Sequence, residues 1–75
     1  MNRIYTVSNC IFCSRAKSLM NRLAIQYEEI HCQDASDLPT GLDTFPQIYF
    51  GTQHIGGCME LYELHRKGHF DHAVY

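Results

Sequence analysis

Seventy-five residues with a formal charge of −2 and an isoelectric point near 6.1 make one small domain, a size that buries only about 60% of the unfolded surface. Hydrophobic residues at 45% and aromatics at 12% supply one modest core and exclude a disordered tail. The charge balance offers neither a basic face for nucleic acid nor a polybasic patch for a membrane surface, and no apolar run approaches the ~20 residues of a bilayer span.

In chain order, "RIYTV" (3–7) is a short β-rich run, and Ser8 and Asn9 supply turn and N-cap chemistry after it. From Ile11 to Leu23 the apolar residues Phe12, Ala16, Leu19, Met20 and Leu23 fall at helical spacing, with Arg15, Lys17, Asn21 and Arg22 on the opposite face. "IQYEEIHC" (25–32) reads as a second strand, closing a βαβ unit. The polar stretch "QDASDLPTGLD" (33–43), with Pro39 and Gly41, is a loop with room for one helical turn. "PQIYF" (46–50), the turn "GTQ" and "HI" (54–55) predict a β-hairpin. After Gly56-Gly57, a last amphipathic helix places Cys58, Leu61, Tyr62 and His65 on one stripe and stops at Gly68. The order β-α-β then β-β-α predicts a single α/β domain, one four-stranded mixed sheet with helices packed on it.

The four cysteines are Cys10, Cys13, Cys32 and Cys58. A disulfide scaffold would allow three pairings. The opening "MNRIYTVSNC" has neither the apolar stretch nor the small-residue cleavage site of a signal peptide, and Cys10 and Cys13 stand close together, so a reducing, cytoplasmic setting is expected. A thiolate rather than a thiol attacks a disulfide, so a redox cysteine needs its pKa lowered. The first turn of a helix does this through unpaired N–H groups and the positive dipole end. Cys10 falls at that end, Cys13 follows one turn later, and Arg15 and Lys17 add positive charge. Zinc would need two further ligands from Cys32, Cys58 or the histidines, yet His65 and His69 lie far beyond finger-like spacing. No metal is expected, and C-x-x-C beside a βαβ pattern reads as a thiol–disulfide exchange pair.

Together, "CIFCSRAK", "TFPQIYF" and "QHIGGCMELYEL" resemble the small dithiol glutaredoxins of bacteria and phages, from Tyr5 to about Gly68. The resemblance implies a thioredoxin fold and reduction of protein disulfides and glutathione mixed disulfides, with glutathione as reductant. It makes Cys10 the attacking nucleophile and Cys13 the resolving thiol. It places Phe12, Thr44, Phe45, Pro46, Gly57 and Cys58 along the glutathione groove. An X–Pro bond is cis in only ~5–6% of cases, but similarity to the family's "TVP" motif implies a cis Phe45-Pro46 bond. That bond would present the Phe45 backbone to a bound peptide as an added strand. The Cys58 N–H, at a helix start, would receive the γ-glutamyl carboxylate. The Cys58 side chain reads as a packed small hydrophobe, with a third redox thiol as the alternative, and Cys32 beside His31 reads as structural.

Departures from the family pattern bear on glutathione more than on the dithiol. Ile11 replaces the usual proline. Val7 replaces a lysine that would meet the glycyl carboxylate. Leu42 and Asp43 precede "TFP" where a basic residue is common, and Met59 replaces an aspartate for the γ-glutamyl ammonium, with Glu60 next to it. The family's second helix is trimmed to the 33–43 loop. The expected protein is a monomeric thiol–disulfide oxidoreductase acting on disulfide-containing proteins, ribonucleotide reductase among them. The alternatives are a redoxin fed by thioredoxin reductase and a carrier whose Cys10 and glutathione hold a 2Fe–2S cluster.

Overall fold

In the computed structural model, which describes residues 1–68, the elements are β1 (Asn2–Val7), α1 (Ile11–Arg22), β2 (Glu28–Cys32), β3 (Gln47–Phe50), β4 (Gln53–Gly56) and α2 (Cys58–Arg66). They form a four-stranded sheet in the order β2-β1-β3-β4. β1 and β2 run parallel, and the other two pairings are antiparallel. This is the expected mixed sheet, and the trimmed segment holds only a single 3-10 turn, Ala35–Asp37. No helix among the described residues is long and apolar enough to cross a membrane.

The period of two along β1 sorts the sheet into two faces. Ile4 and Thr6 are buried, while Arg3, Tyr5 and Val7 are half-buried on the other side. Ile4 pairs with Ile48 of β3. Ala16, Leu19 and Met20 of α1 and Cys58 and Leu61 of α2 close over them, with Ile25, as one core. Full burial of each large aliphatic side chain stabilises by about 1.5–3 kcal/mol, so this cluster holds both helix starts on the sheet. On the opposite face the Arg3 guanidinium lies 5.5 Å from the Tyr49 ring centroid, and Tyr49 packs at 4.8 Å on the His54 ring.

Two expected boundaries move. Rather than running on to Leu23, α1 ends at Arg22 in a Schellman turn: Ala24 takes φ +58°, its N–H meets the Asn21 carbonyl, and the Ile25 N–H meets the Met20 carbonyl at 2.9 Å. Ile25 therefore belongs to the helix closure and the core, and β2 begins at Glu28 rather than at residue 25. In α2 the predicted stripe holds for Cys58 and Leu61, but Tyr62 is 37% exposed. It sits at the stripe's edge and lines an open cleft with Phe12, Arg15 and Met59.

Candidate active site at the start of the first helix

β1 delivers the chain into a tight turn at Ser8 and Asn9. Asn9 has φ +58°, a left-handed conformation that a short polar side chain tolerates better than most. The cap itself is Cys10 and not the Ser8-Asn9 pair expected from the sequence: its backbone is extended, and its Sγ accepts the Cys13 N–H at 3.1 Å. A sulfur thus occupies the position where serine or aspartate usually satisfies an orphan donor. No acidic residue stands in the first turn of α1, so the positive helix end is left for the sulfur.

Cys10 and Cys13 form a disulfide with Cα atoms 5.2 Å apart. Cys13 is only 2% exposed and Cys10 is half-exposed, so an attacking sulfur from outside reaches Cys10 first. Cys32 and Cys58 are free thiols and both are buried. Burial pushes each thiol pKa up; at Cys32 the carboxylates of Asp37 and Asp34 add to it. A raised pKa favours the protonated, less nucleophilic thiol at both positions.

A cleft of about 470 Å³ opens on the β2 side of the disulfide, lined by Cys10, Cys13, Thr6, Lys17, Glu29 and His31 among others. Glu29 accepts the Thr6 hydroxyl at 2.7 Å and the Lys17 ammonium at 3.0 Å. The Thr6 hydrogen bond first and the Lys17 contact second hold its carboxyl below the usual range. Lys17 is therefore paired, and Arg15 lies with its guanidinium 5.9 Å from the Phe12 ring centroid. Of the two cations expected to bias the thiolate, Lys17 is paired with a carboxylate while Arg15, over a ring, keeps its charge, and the helix end acts beside it. Sequence reading overlooked Glu29 and Thr6 because they sit 23 positions apart and meet only through the parallel register. Their alternation in β1 and β2 was the available signal.

On the α2 side, the Phe45-Pro46 bond is cis, as the resemblance implied. Phe12, Phe45, Pro46 and Cys58 gather with Met59 and Glu60 around a groove of about 180 Å³. Thr44 and Gly57 flank it. The Thr44 carbonyl and hydroxyl both accept from the buried Gln47 amide at 3.0 Å, and the oxygen of that amide meets His54 Nε2 at 2.7 Å. The Gly57 N–H donates to Glu60 Oε1 at 2.7 Å, half of a capping box with no side chain to reciprocate. Gly56 has φ +117°, and a Cβ there would lie 2.9 Å from the Glu60 side chain, so glycine is required at that corner. Cys58 begins α2, where its N–H has no intrahelical acceptor. Val7 and Met59 line different clefts, on opposite sides of the dithiol. Among the described residues no three His, Cys, Asp or Glu side chains converge as metal ligands, and His69 lies outside the described residues.

Comparison with known proteins matches residues 3–55 to the family described as Glutaredoxin. The chain is 40% identical to "Glutaredoxin 1" of Rickettsia bellii, covering 91% of this chain and 80% of that protein. It is 39% identical to "Glutaredoxin" of Pseudomonas aeruginosa, covering 91% and 88%. Among solved structures, the glutaredoxin of Brucella melitensis superposes with a TM-score of 0.75 at 39% identity, covering 93% of this chain and 83% of that one. The buckwheat glutaredoxin–glutathione complex superposes at 0.76 with 28% identity, covering 93% and 72%.

Proposed function

The chain belongs to the glutaredoxin family and is a thiol–disulfide oxidoreductase of thioredoxin fold, and on that footing we propose that glutathione is its reductant. In this reading the Cys10 thiolate attacks a substrate disulfide and holds one half as a mixed disulfide. Cys13 then attacks Cys10 Sγ and releases the substrate thiol. Two glutathione molecules restore the dithiol and leave as glutathione disulfide. The observation that carries the proposal is the Cys10–Cys13 disulfide beside the groove of Phe12, Phe45, cis-Pro46 and Cys58, with Cys10 outermost. The Phe45 backbone and the Cys58 N–H are the groups proposed to hold the tripeptide. Protein disulfides, including that of ribonucleotide reductase, are the proposed substrates, and a cytoplasmic monomer is the proposed form. Two buried free thiols fit a reducing compartment.

A second reading rests on Glu60. Its carboxylate already occupies the Gly57 N–H, and Val7 and Met59 are apolar where charge would serve glutathione. Supply of electrons by thioredoxin reductase is supported by that loss. One coupled assay separates the two: turnover with glutathione and glutathione reductase against turnover with thioredoxin reductase. Under the first reading Cys13→Ser keeps deglutathionylation, because glutathione replaces the missing thiol, and loses protein-disulfide reduction. Equal loss of both activities counts against it.

A further inference from the structure

We propose that His31 is the proton-handling residue of the dithiol, exchanging the Cys13 proton through the cleft on the β2 side. The inference rests on the dithiol reading above and adds a group to it. When Cys10 carries a substrate half as a mixed disulfide, Cys13 must lose its proton before attack. The Cys13 electron pair then forms the Cys13–Cys10 S–S bond, the Cys10–substrate S–S bond breaks, and its electron pair leaves on the substrate thiolate. The dithiol is oxidised to the disulfide by two electrons and the substrate sulfurs are reduced by two. One proton remains to be placed. Cys13 is only 2% exposed, and it opens onto the cleft on the β2 side, so its proton leaves by that route.

The cleft that Cys13 shares with His31 is polar and, at about 470 Å³, roomy enough for water to bridge them. His31 faces it because the parallel register sets it opposite Thr6 on the helix-covered face. Its Nε2 lies 3.2 Å from the Ser8 hydroxyl and its Nδ1 is 3.5 Å from the Thr6 hydroxyl. The Thr6 hydroxyl spends its own proton on Glu29, at 2.7 Å, so it meets Nδ1 as an acceptor. With the imidazole proton on Nδ1 toward Thr6, Nε2 faces the Ser8 hydroxyl, and it is the nitrogen that takes the second proton in this proposal. The charged groups facing this ring are Glu29 from its own strand and Lys17 from α1, and they pair with each other at 3.0 Å. Glu29, bound by Thr6 and Lys17, stays ionised through neutral pH and makes a poor base. Imidazole is the side chain whose ordinary titration falls between about pH 5 and 8, and it is the group in the cleft suited to both directions. In the oxidising direction neutral His31 takes the Cys13 proton. When glutathione reopens the disulfide, the imidazolium returns it to the leaving Cys13 sulfur.

The test is stopped-flow reaction of the reduced full-length protein with an aryl disulfide that releases a coloured thiol. The first release reports attack by Cys10, and the second reports attack by Cys13. His31→Gln keeps a polar group beside Ser8 and Thr6 but does not titrate. The expected result is a second phase slowed about tenfold at neutral pH, less than the ~10²–10⁴ of a base in direct contact, with the first phase within about twofold of wild type. The pH profile of the second phase should change shape in His31→Gln relative to wild type, whereas a purely structural role would scale the profile without reshaping it. Superimposable second-phase profiles in the two proteins, or equal slowing of both phases, overturn the inference. If the wild type shows no second release at all, the dithiol mechanism itself falls, an outcome distinct from the failure of His31.

Discussion

The Glu60 carboxylate lies 2.7 Å from the backbone nitrogen of Gly57, so the entrance to α2 already holds an anion of the protein's own. An incoming carboxylate at the Cys58 N–H must sit beside that charge. Glu60→Gln keeps the hydrogen bond and removes the charge. The KM for glutathione should fall by about 1.4- to fivefold, the size of an exposed charge interaction of ~0.2–1 kcal/mol. A rise in KM instead would mean that Glu60 holds the γ-glutamyl ammonium.

The two remaining uncharged positions are expected to act from separate sides. Val7 lines the cleft toward β2 and Met59 the groove toward α2. Val7→Lys and Met59→Asp should each lower the glutathione KM, about two- to tenfold in combination, with the effect largest at low salt where exposed pairs are least screened. Reduction of a dithiol-dependent protein substrate should change little. An unchanged glutathione KM at low ionic strength would favour thioredoxin reductase as electron donor.

Alkylation of the reduced protein at mildly acidic pH, followed by mass mapping, should label Cys10 first. Cys10 caps α1 and is half-exposed, whereas Cys13, Cys32 and Cys58 are buried and the last two are raised in pKa by burial. Helix-end stabilisation should bring Cys10 below the ordinary thiol value of about 8.5. Labelling of Cys13 or Cys58 ahead of Cys10 would contradict the assignment.

Glu29 links the strand pair to α1, and its depressed pKa makes that link pH-dependent. A carboxyl held below its ordinary ~4.3 stabilises the fold above that value, and the contribution is lost as pH falls through the lower folded value. Glu29→Gln should therefore destabilise by about 0.5–1 kcal/mol at neutral pH, a figure kept small by solvent exposure. Urea titrations should show this gap closing as the pH drops into the acid range. A gap of constant size would assign the effect to packing.

Ala24 occupies the left-handed position of the Schellman turn, with φ +58° and an exposed side chain. An L-residue there costs about 1–2 kcal/mol, against ~0.4–1 kcal/mol of unfolded-chain entropy that glycine adds. Ala24→Gly should raise stability by about 0.5 kcal/mol, seen as a higher urea midpoint with unchanged slope. A lower midpoint would show that the alanine methyl contributes packing at this corner.

What the sequence determined alone is what depends on neighbours three or four residues apart, or two apart in a strand. The β-rich run 3–7, the Ala16-Leu19-Met20 stripe and the placement of Cys10 and Cys13 one turn apart at a helix start are of this kind. The motif around Pro46 carried the cis bond through resemblance rather than through any local rule. The pairings across the fold were decided by tertiary structure. Thr6 with Glu29, and Ser8 with His31, each span 23 positions, and they exist because β1 and β2 align in one register and not another. The same closure tied Lys17 to Glu29 instead of leaving it free for Cys10, and it pulled Ile25 out of the second strand into the core. Local periodicity is written in the order of residues, whereas register and burial are settled only when the faces meet, and that is where the partners of each charge and thiol are chosen.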